Sequence, residues 1–321
     1  MKRILCFVII CSFISCKEQK KQQRYLPDSN AKINHLTVVM PKKSWSGALG
    51  ETTRSLLETP YEGLPFDEPQ FSLQYMPPIA FKGFARNSRN VLWFVNDSIG
   101  GFQLAEDYMA KPQVVARVMG EDDEVQAFYL EENIALFKAT LTAAEQKEKI
   151  RRIKKSPAKA SELAERFQVN LTYPTAYNTV KDTTNFVWIQ KDTPKGHMNL
   201  IAYTLPVSAL QGNVKKRILA LRDSIGKVYV PGRLKGSYMI TEKAYRPYFY
   251  KTQRKGRLTY ITKGTWEVAN DFMAGPFVNY MIRDTLKNRW MVVEGFSFAP
   301  SSSKRDQMFE LNAIIDAVAF K

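Results

Sequence analysis

Three carboxylates and one arginine near the C-terminal end of the chain are of types that could carry out hydrolysis. Glu267 and Asp271 fall on one predicted strand region and Glu294 on a later strand, with Arg283 between them. Two carboxylates across a cleft can act as general acid and general base. The period of two puts Glu294 on one strand face with Trp290, Val292, Phe296 and Phe298. One alternative is therefore a structural ion pair, with Arg283 or Arg289 as the partner of Glu294, because a buried carboxylate without a partner is costly. Another is that this strand face is solvated. Sequence spacing does not distinguish these interpretations, so all of them stay open.

Cys16 is the residue whose chemistry follows most directly from its surroundings. Residues 1–15 contain two early cations, the apolar run ILCFVIICSFI and then Ser15. This is the layout of an export signal, and the apolar run is too short to span a bilayer. A cysteine at the first mature position accepts lipid in bacterial lipoproteins, and several acyl chains together hold a protein firmly on a membrane. We therefore expect a signal peptide over residues 1–15 and lipid attachment at Cys16.

Two alternatives to this interpretation are an uncleaved N-terminal anchor and an ordinary signal peptide. Phe13 stands where lipoprotein signals usually carry Leu.

The remaining residue types exclude several common kinds of active site. Cys6 and Cys11 lie in the predicted signal, so the mature domain would have no disulfide, cysteine nucleophile or cysteine metal site. His35 and His197 are the only histidines, whereas a zinc site needs three or four ligands and a Ser-His-Asp triad needs an oriented histidine. The sequence also has no Walker loop, Gly-x-Gly-x-x-Gly or Gly-x-Ser-x-Gly motif. We expect no metal and no cofactor.

The charge balance is strongly basic, with 47 Lys and Arg against 31 Asp and Glu. Such an excess usually indicates nucleic acid, but an exported protein meets little of it, so we expect no nucleic-acid partner. Lipid headgroups, lipopolysaccharide phosphates and acidic cell-wall polymers are the anionic partners at hand. The alternative is that a Lys-rich surface simply keeps the protein soluble.

The stretch YRPYFYKTQRKGR over 245–257 interleaves aromatic and basic residues. Such a mixture can hold an anionic ligand. We favour a hairpin that turns at Lys255-Gly256 and points its aromatic side chains inward.

The elements that position these residues follow from apolar periodicity. Residues 16–34 are polar and predict a lipidated cysteine followed by a flexible tether. The N-terminal half, 35–155, predicts strand, helix, several strands and a long helix with one apolar seam. Residues 143–155 turn polar and basic and are interpreted as a hinge. The C-terminal half, 156–321, predicts a similar order and ends in a helix with Ser303 and Asp306 spaced as a capping box.

This pattern predicts an α+β fold. We expect mixed, mostly antiparallel sheets with helices packed on one face of each sheet, and a possible duplication into two similar halves. The alternative is that any α+β protein would show such an order of elements.

Five motifs in a fixed order resemble a known family: LPFDEPQF, TNFVWIQ, GSYM, GTWEVANDFMAGPF, and EGFSFAP followed by KRD. They are similar to DUF4837, a family of Bacteroidota cell-envelope lipoproteins, over nearly the whole mature chain. The resemblance implies an outer-membrane lipoprotein but no activity, so no catalytic residue is carried over. In that phylum, acidic residues directly after the lipidated cysteine favour the cell surface. Because Lys17-Glu18-Gln19-Lys20 contains only one, the periplasmic face is favoured.

Two functions follow as hypotheses. The first is a binding or interaction module that is held on the membrane by its N-terminal lipid and recognises an envelope protein or an anionic polymer without chemistry. The second is a metal-independent hydrolase that acts on an envelope polymer through Glu267 and Glu294. The scarcity of His and Cys favours the first hypothesis.

Overall fold

A computed structural model describes residues 25–158 and 161–321. The predicted signal, Cys16 and the first part of the predicted tether lie outside the described residues. Within these two ranges, no helix is long and apolar enough to cross a membrane.

The N-terminal half is a five-stranded sheet with helices on one face. Its strand order is β2-β1-β3-β5-β4. The first three pairings are parallel, and the edge strand β4 is antiparallel to β5. The elements are β1 (His35–Val39), α1 (Lys42–Trp45), α2 (Ala48–Leu57), β2 (Ser72–Met76), β3 (Asn90–Asn96), β4 (Gly101–Glu106), β5 (Val114–Gly120) and α3 (Asp123–Ile153).

Alternation along the strands gives this sheet two apolar faces. Leu36 and Val38 of β1 pack under α2 and α3, where the predicted seam of α3 supplies Leu130, Phe137 and Leu141. Asp122 begins α3, and its side chain accepts hydrogen bonds from the backbone of Glu124 and Val125.

The opposite face of the same sheet is covered by the connection 77–89. This segment runs from the end of β2 to the start of β3. Phe81 packs there with Val39, Val91 and Val115 and meets the ring of Trp93 edge-on, with 5.3 Å between ring centroids. The segment therefore replaces a helix as the cover of this face.

The C-terminal half is built on an eight-stranded antiparallel sheet. Its order is β10-β12-β13-β14-β9-β8-β7, and β11 also pairs with β12. The elements are α4 (Ser161–Arg166), β6 (Val169–Asn170), β7 (Asn178–Thr183), β8 (Phe186–Thr193), β9 (Gly196–Pro206), α5 (Val214–Tyr229), β10 (Tyr238–Thr241), β11 (Tyr248–Arg254), β12 (Arg257–Ala269), β13 (Ala274–Asp284), β14 (Arg289–Phe298), α6 (Arg305–Asp316) and β15 (Ala319–Phe320).

Helices cover both faces of this second sheet. Leu311 and Ile315 of α6 pack against β14 so closely that a Cβ at Gly295 would lie 2.8 Å from the Cβ of Leu311. Ile218 of α5 packs on the other face with Tyr203 and Val292. The α+β class with mostly antiparallel strands is confirmed, and the chain has two halves whose sheets differ in strand order and direction. The expectation of helices on one face of each sheet holds for the N-terminal sheet but is wrong for the C-terminal sheet, because α5 and α6 bury apolar side chains on its opposite faces.

Two boundaries differ from the sequence expectation. The backbone of Ser29 and Asn30 donates to Lys111 and Asn87 at 3.0 and 2.8 Å, so the chain is packed on the fold from about residue 28 and the predicted tether is shorter. The basic stretch 143–155 is not a hinge, because α3 continues to Ile153. Within this stretch Glu148 forms helix-spaced ion pairs with Arg151 and Arg152, which support a continuous helix.

The predicted hairpin over 245–257 is confirmed, with Arg254 opposite Arg257. Lys255 and Gly256 have φ of 48° and 74°, and glycine adopts such a conformation without strain. The predicted inward direction holds only for Phe249, which packs on the core. Tyr248 and Tyr250 are exposed because alternate residues of a strand point to opposite faces.

Candidate functional site: the cleft between the two halves

The structure separates the two carboxylates that were predicted to face each other. Glu294 lies on the same face of the sheet as Val292 and Phe296, under α5. Trp266 and Val268 of β12 also face α5, and Glu267 stands between them in the strand. Glu267 therefore points to the opposite face. The two carboxylates cannot act on one bond from opposite sides of a cleft.

The other two predicted residues lie at the two ends of β13. Asp271 is in the turn before β13 and pairs with the exposed Arg233 at 2.7 Å. Arg283 is near the far end of β13 and donates to Asn288 Oδ1 at 2.7 Å. The four residues do not form one site.

Glu294 pairs with Arg222 of α5, and neither Arg283 nor Arg289 is its partner. The distance from Arg222 Nη2 to Glu294 Oε1 is 2.8 Å, and the side chains are 2% and 0% exposed. Asn279 Nδ2 donates to the second carboxylate oxygen at 2.9 Å, and the Arg222 guanidinium lies 3.8 Å from the ring centroid of Phe277. The sheet face of Glu294 is therefore buried, and the structural interpretation of this carboxylate holds with a different arginine.

A second buried ion pair, which sequence reasoning missed, organises the N-terminal half. Arg89 Nε lies 2.6 Å from Glu145 Oε1. The same carboxylate accepts from Asn90 Nδ2 at 2.9 Å and from the backbone of Asn34 at 2.5 Å. Arg89 also donates to the carbonyl of Lys32 at 2.8 Å. Because the pair binds residues 32–34 to α3, its role is structural.

The two halves are joined through the start of α6. The backbone amides of Lys304 and Arg305 donate to the Glu68 carboxylate at 2.7 and 2.9 Å, and the hydroxyl of Ser303 donates to it as well. Lys304 is the N-cap residue of α6, and its side chain makes no capping hydrogen bond. The predicted capping box of Ser303 and Asp306 is therefore wrong. A carboxylate from the other half takes its place.

Beside this joint, the halves enclose a cleft of about 530 Å³. Its walls combine amides, hydroxyls, two lysines, one carboxylate and several aromatic rings. The lining residues are Asn34, Thr59, Pro60, Tyr61, Glu62, Gln70, Phe71, Lys138, Thr142 and Gln146 from the N-terminal half and Tyr248, Lys263, Phe309 and Asn312 from the C-terminal half.

Lys138 is the cation of the cleft that lacks an ion pair among the described residues. Its Nζ donates to Thr59 Oγ1 at 2.7 Å and to the carbonyl of Leu56 at 3.3 Å. Burial lowers the pKa of Lys138, although the charge of Glu62 acts in the opposite direction. Its ammonium is therefore a half-buried cation whose hydrogen-bond partners are neutral oxygens.

Asn34 places an unused donor in the same wall. The residue is 1% exposed, and its Nδ2 is buried without a hydrogen-bond partner in the described part of the chain. An unpaired buried polar group is costly. The Nδ2–H of Asn34 could therefore donate a hydrogen bond to a ligand oxygen.

Glu62, the carboxylate of the cleft, is engaged by two groups of the C-terminal half. Lys263 Nζ and Tyr250 OH donate to its two oxygens, each at 2.8 Å. Burial acts to raise the pKa of Glu62, but these hydrogen bonds and the Lys263 charge hold it below its usual value. Burial, followed by the hydrogen bond to Glu62, raises the pKa of Tyr250 to about 12. Within 25–158 and 161–321, no three His, Cys, Asp or Glu side chains are grouped as a metal site would require.

Comparison with known families covers both halves. A family model described as "Domain of unknown function (DUF4837)" matches residues 156–317. The chain belongs to the DUF4837 family. A second model, "Domain of unknown function (DUF8532)", matches residues 29–154. The DUF4837 match is thus confined to the C-terminal half, although the resemblance was expected over nearly the whole mature chain, and the motif LPFDEPQF falls within the second match. No curated protein matches this DUF4837 chain.

Two solved structures show weak similarity to the chain. The crystal structure of the Saccharomyces cerevisiae Ran-binding protein Mog1p has 9% identity, a TM-score of 0.32, and coverage of 47% of this chain and 89% of its own. A point mutant of the protein Mog1 has 9% identity, a TM-score of 0.30, and coverage of 51% and 94%.

The loop that supplies much of the cleft is the proline-punctuated segment YEGLPFDEPQF, from Tyr61 to Phe71. Its composition indicated a loop but not the partner of Glu62. Lys138 carried no sequence signal, because it lies on a helix whose exposed face is rich in charged residues.

Proposed function

We propose that this DUF4837 protein is an outer-membrane lipoprotein, anchored through Cys16 on the periplasmic face, whose folded part binds an envelope component in the cleft between its halves. The binding involves no chemistry. The predicted export signal and Cys16 support both the anchor and the cell-envelope assignment. The cleft supports the binding role.

The observation that carries the binding role is the presence in one cleft of a cation without a direct ion pair and of a side-chain N–H without a hydrogen-bond partner among the described residues. Lys138 offers a positive charge and Asn34 offers a buried N–H in one cleft. The volume of about 530 Å³ lies in the range of small-molecule sites. Aromatic rings of Tyr61 and Tyr248 in the walls can pack on sugar rings. The ligand class is therefore a sugar that carries an anionic group, as in an acidic cell-wall polymer.

The hydrolase hypothesis has less support. Glu267 and Glu294 lie on opposite faces of their sheet, and Glu294 is bonded to Arg222 and Asn279. The cleft contains Glu62, but Lys263 and Tyr250 occupy both of its oxygens. No second carboxylate lines the cleft beside it, so the carboxylate pair that this mechanism needs is not assembled among the described residues.

The experiment is titration calorimetry of the protein with N-acetylmuramate and glucuronate, with glucose as the neutral comparison. We expect the two anionic sugars to bind and glucose to bind at least about tenfold more weakly. Lys138→Gln should weaken binding of the anionic sugars about tenfold or more, because a charge-assisted hydrogen bond contributes roughly 1.5–3 kcal/mol.

The matched control is Lys147→Gln, since Lys147 is exposed on the same helix and does not line the cleft. Equal affinities for both variants, or no binding of either anionic sugar by the wild type, would contradict the proposed ligand.

A further inference from the structure

The connection 77–89, which covers one face of the N-terminal sheet, carries two exposed apolar side chains. Ile79 is 81% exposed and Phe84 is 76% exposed. They are five positions apart on a segment that is anchored from beneath by Phe81 in the core. We call Ile79 and Phe84 with the flanking cations Lys82 and Arg86 the connection patch.

The connection patch is basic as well as apolar. Lys82 and Arg86 are exposed, and neither forms a salt bridge with a described carboxylate. Arg86 Nε donates to the carbonyl of Phe81 at 3.2 Å, which leaves its charge uncompensated. Lys111 lies at the adjoining backbone and pairs loosely with Asp107, at 3.4 Å between Nζ and Oδ2. Apolar side chains surrounded by cations suit a surface of anionic lipid headgroups.

The N-terminal segment joins the fold beside this patch. Asp28 forms a backbone bridge with Lys111, and Asn30 forms one with Ser88, at the end of the connection. Cys16 precedes Asp28 by 12 residues. Because a chain spans at most about 3.3–3.6 Å per residue, Asp28 can stand no more than about 40 Å from a lipid attached to Cys16.

The residues between Cys16 and the fold carry an excess of positive charge, as the connection patch does. Lys17, Lys20, Lys21 and Arg24 stand there with Glu18 as the single acidic residue up to position 27. Basic residues close to a lipid anchor are attracted to anionic leaflets. This basic segment therefore leads into the fold beside the connection patch.

We propose that the connection patch docks on the anionic surface of the membrane that carries the lipid anchor, with Ile79 and Phe84 inserted among the headgroups. The docking rests on the proposed lipid anchor, and it fixes the orientation of the N-terminal half on the membrane. The sheet face under α2 and α3, together with the cleft, is then turned toward the periplasm, because the connection covers the opposite face of that sheet.

The test uses the polypeptide from residue 17 onward, which lacks the lipid and keeps every described residue. Co-sedimentation is measured with vesicles of phosphatidylethanolamine and phosphatidylglycerol, and with vesicles of phosphatidylcholine alone. We expect binding to the anionic vesicles that weakens with salt. The double variant Ile79→Ser, Phe84→Ser should bind at least about tenfold more weakly, since it removes two apolar insertions.

The matched control is the double variant Phe272→Ser, Leu286→Ser. Both side chains are exposed, at 102% and 77%, but they lie in turns at opposite ends of β13, away from the connection patch. It should bind vesicles like the wild type. Equal losses in both double variants, or no binding of the wild-type polypeptide to anionic vesicles, would overturn the proposal.

A second measurement does not depend on how the serine variants fold. The polypeptide from residue 17 has no cysteine, so Phe84→Cys and Phe272→Cys each accept one polarity-sensitive fluorophore. We expect anionic vesicles to shift the emission to the blue at position 84 but not at position 272, and equal shifts would also overturn the proposal. Fatty-acid labelling at Cys16 of the full chain tests the lipid anchor separately. Labelling of the full chain without vesicle binding by the polypeptide from residue 17 would refute the docking of the connection patch alone. Vesicle binding without labelling would refute the lipid anchor alone.

Discussion

Replacing Glu294 by Gln tests whether the buried pair of the C-terminal sheet stabilises the fold. The substitution keeps the size and shape of the side chain and removes its charge. Arg222 is then left as a cation that is 2% exposed, with Thr241 Oγ1 at 3.0 Å as an acceptor and with the half-exposed Asp223 carboxylate 3.9 Å from its Nη1. The free energy of unfolding should therefore fall.

The size of the loss follows from the burial of both partners. Removing one member of a buried ion pair costs about 3–5 kcal/mol. The amide oxygen of Gln can still accept one hydrogen bond from Arg222 or from Asn279, so we expect a loss near about 3 kcal/mol. If the unfolding free energy falls by about 3 kcal/mol per molar urea, the midpoint of urea unfolding would fall by about 1 M.

The assay is urea denaturation at neutral pH, followed by circular dichroism. Glu267→Gln is the control, because Glu267 is half-buried on the opposite face of the sheet and forms no salt bridge with a described residue. Its loss should stay below about 1 kcal/mol. The double variant Arg222→Met, Glu294→Leu leaves no unpaired charge at this position. Its loss of unfolding free energy should therefore be smaller than the summed losses of the single variants Arg222→Met and Glu294→Leu.

The reasoning fails if Glu294→Gln is no less stable than Glu267→Gln. It also fails if the double variant loses the full sum of the single losses. Greater stability of Glu294→Gln than of the wild type would instead indicate a carboxylate held under strain, as at active sites.

Three further outcomes follow from the same structure and sequence. Cys16→Ser should abolish labelling by a fatty-acid analogue, and equal label on both proteins would contradict lipid attachment. Glu68→Ala should lower the stability by roughly 0.5–2 kcal/mol, because it removes the cap of α6; an unchanged urea midpoint would show that the cap is dispensable. The charges and hydrogen bonds of Lys149 and Lys191 outweigh burial and hold the pKa of Glu310 below its usual value. The stabilisation by Glu310 is therefore present above about pH 4.5 and is lost as the pH falls through the lowered pKa. Glu310→Gln should flatten the pH dependence of the melting temperature in that range. A variant whose melting temperature falls with acid as in the wild type would refute this.

Local patterns predicted much of the secondary structure and the burial of particular residues. The seam of Leu130, Phe137 and Leu141 placed α3 correctly because helical periodicity is a local property. The turn at Lys255-Gly256 was predictable because the turn chemistry is contained in two residues. The period of two along β14 likewise placed Glu294 among apolar neighbours.

Contacts between distant parts of the chain were not predictable in this way. Glu294 and Arg222 are 72 positions apart, and Glu68 lies 236 positions from the amide of Lys304 that it caps. Sequence spacing had favoured Arg283 or Arg289 as the partner of Glu294, and Ser303 as the cap of α6. Both predictions were wrong because strand order and helix placement decide which side chains meet.

The sequence by itself determined the residue types available for chemistry and most helices and strands, since each depends on neighbours in the chain, and it is the sole basis of the predicted lipid attachment at Cys16. The tertiary structure decided which carboxylates are engaged, and it brought Asn34, Lys138 and Tyr248 to one cleft. Asn34 and Lys138 meet through the packing of the N-terminal half, and Tyr248 joins them only when the two halves pack together. Their proximity is a consequence of topology, which spacing along the sequence does not contain.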